Sequence, residues 1–234
     1  MTNEKPRIEI PKTFMGISTE EAYKRVLEGN PTEPETPIQT SSGRANIEGM
    51  IYVPEAEIYF AKQRTHLGED WNKTHLSLAS EGVRMPTIEE FRKSLKYFKS
   101  SQDRELQALY NEITQIREPW RANWLDAYFE KRKDGLYVLT GNKTKPEKLE
   151  DCLMEDKTPG INLEQWTSGK NTTSQGIPKS TIKTDSKGLY YWHPRDGNVA
   201  GFDAYSGRAD IDCDWYPSSW SPVLGVFGVV NGGS

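Results

Sequence analysis

The sequence contains no long hydrophobic run, and this absence limits where the chain can be placed. Residues 1–16 lack an apolar stretch of the length that a signal-peptide core or a membrane span requires. We therefore expect synthesis in the cytoplasm and no membrane-spanning segment. The hydrophobic fraction is only 35%, so a folded domain must depend on its 7 Trp, 11 Tyr and 7 Phe residues for burial.

Cysteine and positive charge are also scarce. The only two cysteines, Cys152 and Cys213, are far apart and form neither a CxxC motif nor a metal-ligand cluster. We expect free thiols, and no zinc site, disulfide scaffold or cofactor. The 30 Lys and Arg residues against 34 Asp and Glu leave a formal charge of -4. Since no excess positive field is available to hold a phosphate backbone, nucleic acid is not expected as a partner.

Two parts of different character are expected along the chain. Residues 1–46 predict an N-terminal arm and linker, with a short helix at Thr19–Leu27 and a Pro/Thr/Ser-rich linker at Asn30–Gly43. Residues 47–234 predict one packed domain. Two strand pieces are expected within Gly49–Phe60 and a further strand at Leu136–Thr140. The polar segment Gly141–Lys187 is interpreted as an insertion or loop.

Two amphipathic helices are expected in this domain. Thr87 and Glu90 have the spacing of a capping box, so one helix should begin at Ile88. The second should bury Leu106, Leu109, Tyr110, Ile113 and Ile116. Further core anchors are expected at Trp120, Trp124, Leu125, Tyr128 and Phe129. The predicted fold class is α+β, with the helices packed on small antiparallel sheets.

The segment Gly188–Ser234 differs in composition from everything before it. It contains no Lys, Glu, Gln or Met, although all four occur in the first 187 residues. Apart from Trp, each residue type in it has a codon ending in C, which Lys, Glu, Gln, Met and Trp lack. This bias is expected if many positions derive from asparagine AAC codons whose adenines have been replaced at random. Thr is absent as well, and the codon account does not explain that gap.

The chain also resembles a known family. Gly82–Phe91, GVRMPTIEEF, resembles the G-x-R-L/M-P-T-x-x-E-W/F segment of the formylglycine-generating-enzyme type of C-type lectin fold. Leu224–Val230 and the tryptophans before it are similar to the end of that fold, where a Trp-rich loop region leads into a closing strand. Phe227–Gly228 departs from the family pattern, which has an arginine there. With the altered C-terminal composition, the chain most resembles the variable proteins of diversity-generating retroelements, and among them those of archaeal viruses.

The resemblance implies a ligand-binding protein on the surface of a virion or cell. Its hypervariable C-terminal surface (residues 188–230) would recognise a protein or glycan on a host or target cell, without catalysis or a cofactor. A mixture of amphipathic and small side chains is typical of antibody-type binding surfaces. The residues expected to form the displayed face are Tyr190, Tyr191, His193, Arg195, Asp196, Asn198, Asp203, Tyr205, Ser206, Arg208, Asp210, Asp212, Asp214, Tyr216, Ser218, Ser219 and Ser221. Since no C-ending codon encodes tryptophan, Trp192, Trp215 and Trp220 are expected to be fixed, buried packing anchors.

Alternative functions remain open at this point. A formylglycine-type oxidase on the same fold would need a pair of reactive cysteines to bind copper, and Cys152 and Cys213 do not provide one. A structural virion or surface component would explain a loop-rich C-terminus, but not the missing residue types. Asp210, Asp212 and Asp214 resemble the start of a calcium loop, which then lacks its Gly and its bidentate Glu. Arg84 and Glu90 are interpreted as scaffold residues.

Overall fold

The computed structural model describes residues 47–115, 120–181, 188–205 and 208–232, without the side chains of residues 158–160, 205 and 208, and two short strands nearer the N-terminus. The chain divides into two units, residues 1–42 and 43–234. In the first unit, β1 (Thr13–Phe14) pairs antiparallel with β2 (Ile17–Ser18). The helix predicted at Thr19–Leu27 and the linker predicted at Asn30–Gly43 lie outside the described residues.

The second unit is built on two sheets. Its described strands are β3 (Ile51–Val53), β4 (Ile58–Phe60), β5 (Arg121–Arg132), β6 (Gly135–Thr140), β7 (Lys145–Lys148), β8 (Lys157–Asn162), β9 (Gly188–Trp192), β10 (Val199–Tyr205), β11 (Arg208–Trp215), β12 (Leu224–Gly225) and β13 (Val229–Asn231). A curled eight-stranded sheet has the order β7-β6-β5-β10-β11-β9-β8, with β12 beside β5. A three-stranded sheet has the order β13-β4-β3. The predicted strands at 49–60 and 136–140 are confirmed.

The α+β class is confirmed, but the expectation of small antiparallel sheets is wrong for the larger sheet. Strands β9 and β11 pair in parallel, as do β5 and β12. The sheet is larger than expected because residues 145–215 supply β7 to β11.

Four described helices begin where a side chain satisfies backbone donors of the first turn. They are α1 (Trp71–Ser80), α2 (Ile88–Ser100), α3 (Arg104–Thr114) and α4 (Leu163–Ser168). The predicted capping box is confirmed at α2: the Glu90 backbone N–H donates to Thr87 Oγ1 at 3.2 Å, and the Thr87 N–H donates to Glu90 Oε2 at 2.8 Å. No helix in the described ranges is long and apolar enough to cross a membrane.

Aromatic rings occupy much of the core, as the composition predicted. The ring of Phe60 on β4 lies 5.3 Å from that of Phe98 on α2 and 5.4 Å from that of Phe227. Phe202 on β10 stacks on Trp166 of α4 with centroids 5.9 Å apart. These contacts join α2, α4 and both sheets in one hydrophobic core, while Trp71 and Leu78 of α1 are buried in a second cluster.

The described part of residues 141–187 contains regular secondary structure, so the interpretation of this segment as a loop is wrong. It contributes β7, β8 and α4, and the side chains of Ile161, Trp166 and Ile177 are buried in the core. The Trp166 indole N–H donates to the carbonyl oxygen of Gly176 at 2.9 Å. The polar composition concealed these elements because none buries more than one apolar side chain among those described, too few to give a periodic pattern.

Candidate functional site

Strands β9, β10 and β11 carry different residue types on their two faces. Side chains alternate between the faces of a strand, and the inward ones enter the hydrophobic core: Leu189, Tyr191, Phe202, Ile211 and Cys213. The strand register also aligns the outward side chains with one another. Asp210 is paired with Asp203 on β10 and with Tyr190 on β9, and Asp212 is paired with Trp192 on β9. The outward face is therefore a continuous surface of carboxyl groups and aromatic rings.

A cavity of about 450 Å³ lies on this outward face. Its lining residues are Trp120, Trp192, Asp203, Asp210, Asp212, Asp214 and Trp215. Six of these seven belong to Gly188–Ser234, the segment without Lys, Glu, Gln or Met. Among the described lining residues none is basic, and we call this space the acidic cavity. Concave sites with aromatic walls and a few convergent polar groups are typical of ligand binding.

The tryptophan wall of the acidic cavity is held in place by packing. The Trp215 ring makes T-shaped contacts with Trp124, at 5.3 Å between centroids, and with Trp120, at 6.3 Å. Trp124 is buried in a second core cluster, whereas Trp215 remains partly exposed. The Trp215 indole N–H donates to the Asp212 carboxyl group. One side of Trp215 is thus anchored to the scaffold while another lines the cavity.

The carboxyl groups lie close together within the sheet. Asp203 and Asp210 are directly opposite on β10 and β11 and are each more than nine-tenths buried. Burial raises the pKa of Asp212 to about 9, and contact with Asp214 adds to that increase while the indole N–H of Trp215 opposes it. Burial therefore favours the protonated, uncharged form of Asp212. A buried carboxyl group with a raised pKa, such as that of Asp212, is typical of functional sites.

A network of charges is connected to the acidic cavity through Asp214, one of its lining residues. Arg195, in the loop after β9, forms ion pairs with Asp214 and, at 2.6 Å, with Asp156. Asp156 also accepts from the backbone N–H of His193 at 3.1 Å and lies 2.7 Å from its Nδ1. Burial alone would raise the pKa of Asp156, but its contacts with His193 and Arg195 hold that pKa below its ordinary value. This network connects residues 141–187 to the C-terminal segment.

A second cavity of about 320 Å³ adjoins the first and shares Trp120, Asp214 and Trp215 with it. Its other lining residues are Tyr216, Ser219, Trp220, Ser221 and Leu224. Tyr216 and Trp220 are each 69% exposed. The Trp120–Trp215 pair therefore contributes to both cavities, and together they form an extended surface.

Most of the residues expected to form the displayed face do lie at the surface or in a cavity. Exposed or half-buried side chains are those of Tyr190, His193, Arg195, Asp196, Asp214, Tyr216, Ser218, Ser219 and Ser221. The buried carboxyl groups of Asp203, Asp210 and Asp212 line the acidic cavity. Asp196 is exposed but lines neither cavity, and accepts from the backbone N–H of Lys131. The side chains of Tyr205, Ser206 and Arg208 lie outside the described residues.

The prediction of a displayed side chain is wrong at two positions, Tyr191 and Asn198. Tyr191 is completely buried, because its position in β9 points it into the core, where its hydroxyl donates to the carbonyl oxygen of Leu153 at 2.8 Å. Asn198 is also buried, because its side-chain amide donates to the backbone oxygen of Asp214 at 2.6 Å.

The expectation that all three C-terminal tryptophans are buried anchors is wrong in part. Trp220 lies in the loop between β11 and β12 and is largely exposed, while Trp192 and Trp215 are half-buried and line the acidic cavity. Trp120 was expected only as a core anchor, yet it lines both cavities. The alternation in residues 208–215, RADIDCDW, is the signal that predicts a strand with one carboxyl face. The calcium-loop interpretation obscured it.

That calcium interpretation has no support in the structure. Asp210, Asp212 and Asp214 lie on one face of β11 rather than in a loop, and successive same-face residues of a strand are about 7 Å apart. Within the ranges that the structure describes, no group of three or more His, Cys, Asp or Glu side chains is placed to hold a metal ion.

The two cysteines are free thiols, as expected. Cys213 is completely buried on the inward face of β11, and burial raises its pKa well above the ordinary value. Burial likewise raises the pKa of Cys152 to about 11. Neither thiol is therefore ionised near neutral pH.

Comparison of the chain with protein-family models, curated proteins and solved structures finds no match.

Proposed function

We propose that this protein is a ligand-binding protein of the C-type lectin fold, whose C-terminal segment is diversified by a retroelement and displays a recognition surface. One observation carries the proposal: the segment with the restricted composition supplies six of the seven residues that line the acidic cavity. Random replacement of adenines accounts for the composition, and ligand recognition accounts for its position around a cavity. No other function considered above connects these two facts.

The arrangement of β9 to β11 supports diversification without loss of the fold. The residues on the inward faces form the core, while Tyr190, Asp203 and Asp210 lie on the outward face. Changes at the outward positions need not disturb packing against the helices. A binding surface can vary in this way only if its side chains contribute little to a stability margin of about 5–15 kcal/mol.

The motif that carries the family resemblance has a structural role that supports the proposed scaffold. Arg84 donates to both carboxylate oxygens of Glu90, at 2.7 and 2.6 Å, and to Asn231 Oδ1 at 2.6 Å. Its backbone pairs with Val229 of β13. Arg84 and Glu90 therefore connect the start of α2 to the last strand, as the scaffold interpretation of this pair expected.

The state of the thiols favours recognition over the alternative of a formylglycine-type oxidase. Copper binding by cysteine needs accessible thiolates. Cys213 points into the core, and its raised pKa disfavours the thiolate. The acidic cavity contains no cysteine among its described lining residues.

The nucleotide sequence around the gene tests the diversification. We expect a near-identical template repeat of the codons for residues 188–230, differing at adenines of the template, beside a reverse-transcriptase gene. Codons for Tyr190, Asp203, Asp210 and Asp212 should correspond to adenine-containing template codons. Codons for the inward residues Phe202 and Ile211 should be identical in both copies. A locus without a template repeat would overturn the retroelement proposal.

A display experiment tests recognition itself. A peptide library selected against the intact protein should give binders that lose affinity when Asp210→Ala and Trp192→Ala are introduced together. The matched control is Asp196→Ala with Ser218→Ala, which changes exposed residues outside the acidic cavity. Binders that respond equally to both variants would place recognition elsewhere on the molecule.

A further inference from the structure

We propose that His66 is a proton-dependent latch that holds residues 64–71 against the chain on either side of β12. The inference goes beyond the proposed function, because it assigns a regulatory role to a residue outside the C-terminal segment. It stands on two features of the described residues. One is the position of the His66 ring between carboxylates of two different elements, and the other is the set of contacts between residues 64–71 and residues 217–226.

Both nitrogens of the His66 ring face acidic groups. Nδ1 lies 3.4 Å from Oε2 of Glu69 in the same segment, and Nε2 lies 3.3 Å from Oε1 of Glu81 at the end of α1. A neutral imidazole has one donor nitrogen and one acceptor nitrogen, whereas a carboxylate only accepts. Only the imidazolium can therefore present an N–H group to both carboxylates.

The charges around the ring also favour the imidazolium. The charged groups that face it are Glu69 from its own segment and Glu81 from α1, and Lys73 of α1 contacts Glu69. Lys73 Nζ lies 3.4 Å from Oε1 of Glu69, while the other oxygen of that carboxylate faces His66. Two carboxylates against one ammonium leave a net negative charge beside the ring. Partial burial disfavours a charged ring, but both carboxylates contact it directly.

The turn that contains His66 has little other support of its own. His66 has a φ of 52°, in the left-handed region that few residues other than glycine adopt. The turn is closed by a long backbone hydrogen bond, in which the Glu69 N–H donates to the carbonyl oxygen of His66 at 3.4 Å. The ion pairs of the ring with Glu69 and Glu81 therefore help to keep the turn closed.

The same segment is bonded through its backbone to the C-terminal part of the chain. The Thr65 N–H donates to the carbonyl oxygen of Val226 at 2.9 Å, and the Val226 N–H donates back to that of Thr65 at 3.1 Å. The Gly68 N–H donates to the carbonyl oxygen of Leu224 at 2.9 Å. Residues 64–71 therefore hold β12 on the side opposite to its partner strand β5.

The second cavity depends on this contact for part of its wall. A Cβ atom at Gly68 would lie 3.5 Å from Nε1 of Trp220 and 3.8 Å from Cα of Pro222. Trp220 and Leu224 both line the second cavity. Release of residues 64–71 would remove the support behind these two lining residues.

The sign of the pH effect follows from the stabilised form of the ring. Because the carboxylates stabilise the imidazolium, the docked segment binds a proton more strongly than the released segment, and protonation favours docking. This contribution is complete while His66 is protonated and is lost as the pH rises through the titration of its ring. Histidine ordinarily changes charge between about pH 5 and pH 8. The wall of the second cavity should therefore be better ordered at about pH 5.5 than at about pH 8.

Amide hydrogen exchange, followed by NMR on the intact protein, tests the latch. After correction for intrinsic exchange, protection of the Gly68 amide should fall about fivefold between about pH 5.5 and pH 8, a factor typical of one favourable interaction. In His66→Asn this fall should disappear, since asparagine tolerates the left-handed backbone and does not titrate. Glu81→Gln should reduce it. The control Glu164→Gln removes an exposed ion pair with Lys99 and should leave it unchanged.

Three outcomes would overturn the inference. These are constant protection of the Gly68 amide over this pH range, protection that increases with pH, and the same fall in His66→Asn as in the unaltered protein. A second readout needs no substitution, so a variant that fails to fold does not obscure the result. The Hε1 resonance of His66 and the indole N–H resonance of Trp220 should titrate together, and a Trp220 resonance that stays constant while His66 titrates would contradict the link to the second cavity.

Discussion

The inward and outward faces of β9, β10 and β11 differ although they belong to the same backbone. The inward face consists of apolar and aromatic side chains that contact the helices and the rest of the core, with Phe202 stacked on Trp166. The outward face brings Asp203, Asp210 and Asp212 next to one another around a cavity. The outward face therefore lines a cavity, whereas the inward face contributes apolar burial to the core.

This difference shows how one short segment can serve two purposes. A strand has a period of two, so alternate codons can be under different constraints. Positions that contact the core must keep their residue types, while their neighbours can vary as long as they remain compatible with a strand. Substitutions on the inward and outward faces should therefore differ in their effects on stability.

The largest effect is expected from an inward residue. Phe202→Ala removes a ring that is completely buried between Phe91 and Trp166. The free energy of unfolding should fall by about 3–5 kcal/mol, measured by chemical denaturation. The neighbouring outward substitution Asp203→Asn should cost less than about 1 kcal/mol, since it keeps the size of a side chain that lines a cavity and does not pack in the core. Equal losses in the two variants would contradict the separation of the faces.

An intermediate effect is expected for Trp215, which packs against a core cluster and also lines the acidic cavity. Trp215→Ala removes the T-shaped contacts with Trp120 and Trp124 and one wall of the acidic cavity. We expect a loss of about 2 kcal/mol in unfolding free energy together with loss of binding by selected library ligands. Trp215→Phe should recover part of the stability. A variant that lost stability but bound normally would remove Trp215 from the proposed recognition surface.

A pH-dependent effect is expected for Asp212. Its folded-state pKa of about 9 exceeds the ordinary value of 3.8, so the folded state binds the proton more strongly than the unfolded chain. The stability supplied by that proton is complete below about pH 4 and is lost as the pH rises towards 9. Asp212→Asn mimics the protonated form, so its melting temperature relative to the unaltered protein should increase from pH 5 to pH 8. A constant difference across this range would show that Asp212 is ionised in the folded protein.

The smallest effect is expected for Trp220. Because its ring is 69% exposed, Trp220→Ala should change the free energy of unfolding by no more than about 0.5 kcal/mol. Thermal denaturation with Trp166→Ala as the buried comparison measures the difference, and Trp166 is 1% exposed. A loss from Trp220→Ala as large as that from Trp166→Ala would restore the interpretation of Trp220 as an anchor.

The sequence predicted the parts of the fold that have strong local signals. The capping box at Thr87 and the apolar positions of α2 located one helix, and the strand at Leu136–Thr140 was apparent from its apolar run. It did not predict β8 or α4, because Ile161 and Trp166 are isolated apolar residues in polar surroundings. Their burial depends on contacts with distant strands, which local periodicity does not record.

The candidate site was predicted as a segment but not as a cavity. The composition of residues 188–230 indicated the segment that lines most of the acidic cavity, yet the alternating burial in β9 and β11 decides which of its side chains lie on the outward face. Tyr190 and Tyr191 are adjacent and identical in type, and only the register of β9 against β11 places them on opposite faces. Trp120 has an ordinary sequence context and reaches the cavity only because β5 lies beside β10.

Calorimetry of two matched quadruple variants tests the central claim most directly. One carries Ser at the outward positions Tyr190, Asp203, Asp210 and Asp214, and the other carries Ser at the inward positions Leu189, Tyr191, Phe202 and Ile211. The account predicts that the outward variant unfolds cooperatively within about 5 °C of the unaltered protein, since about 1 kcal/mol corresponds to roughly 2–4 °C at this size. It predicts no cooperative transition for the inward variant. Loss of the transition in the outward variant would show that the acidic surface is a structural element and contradict the account.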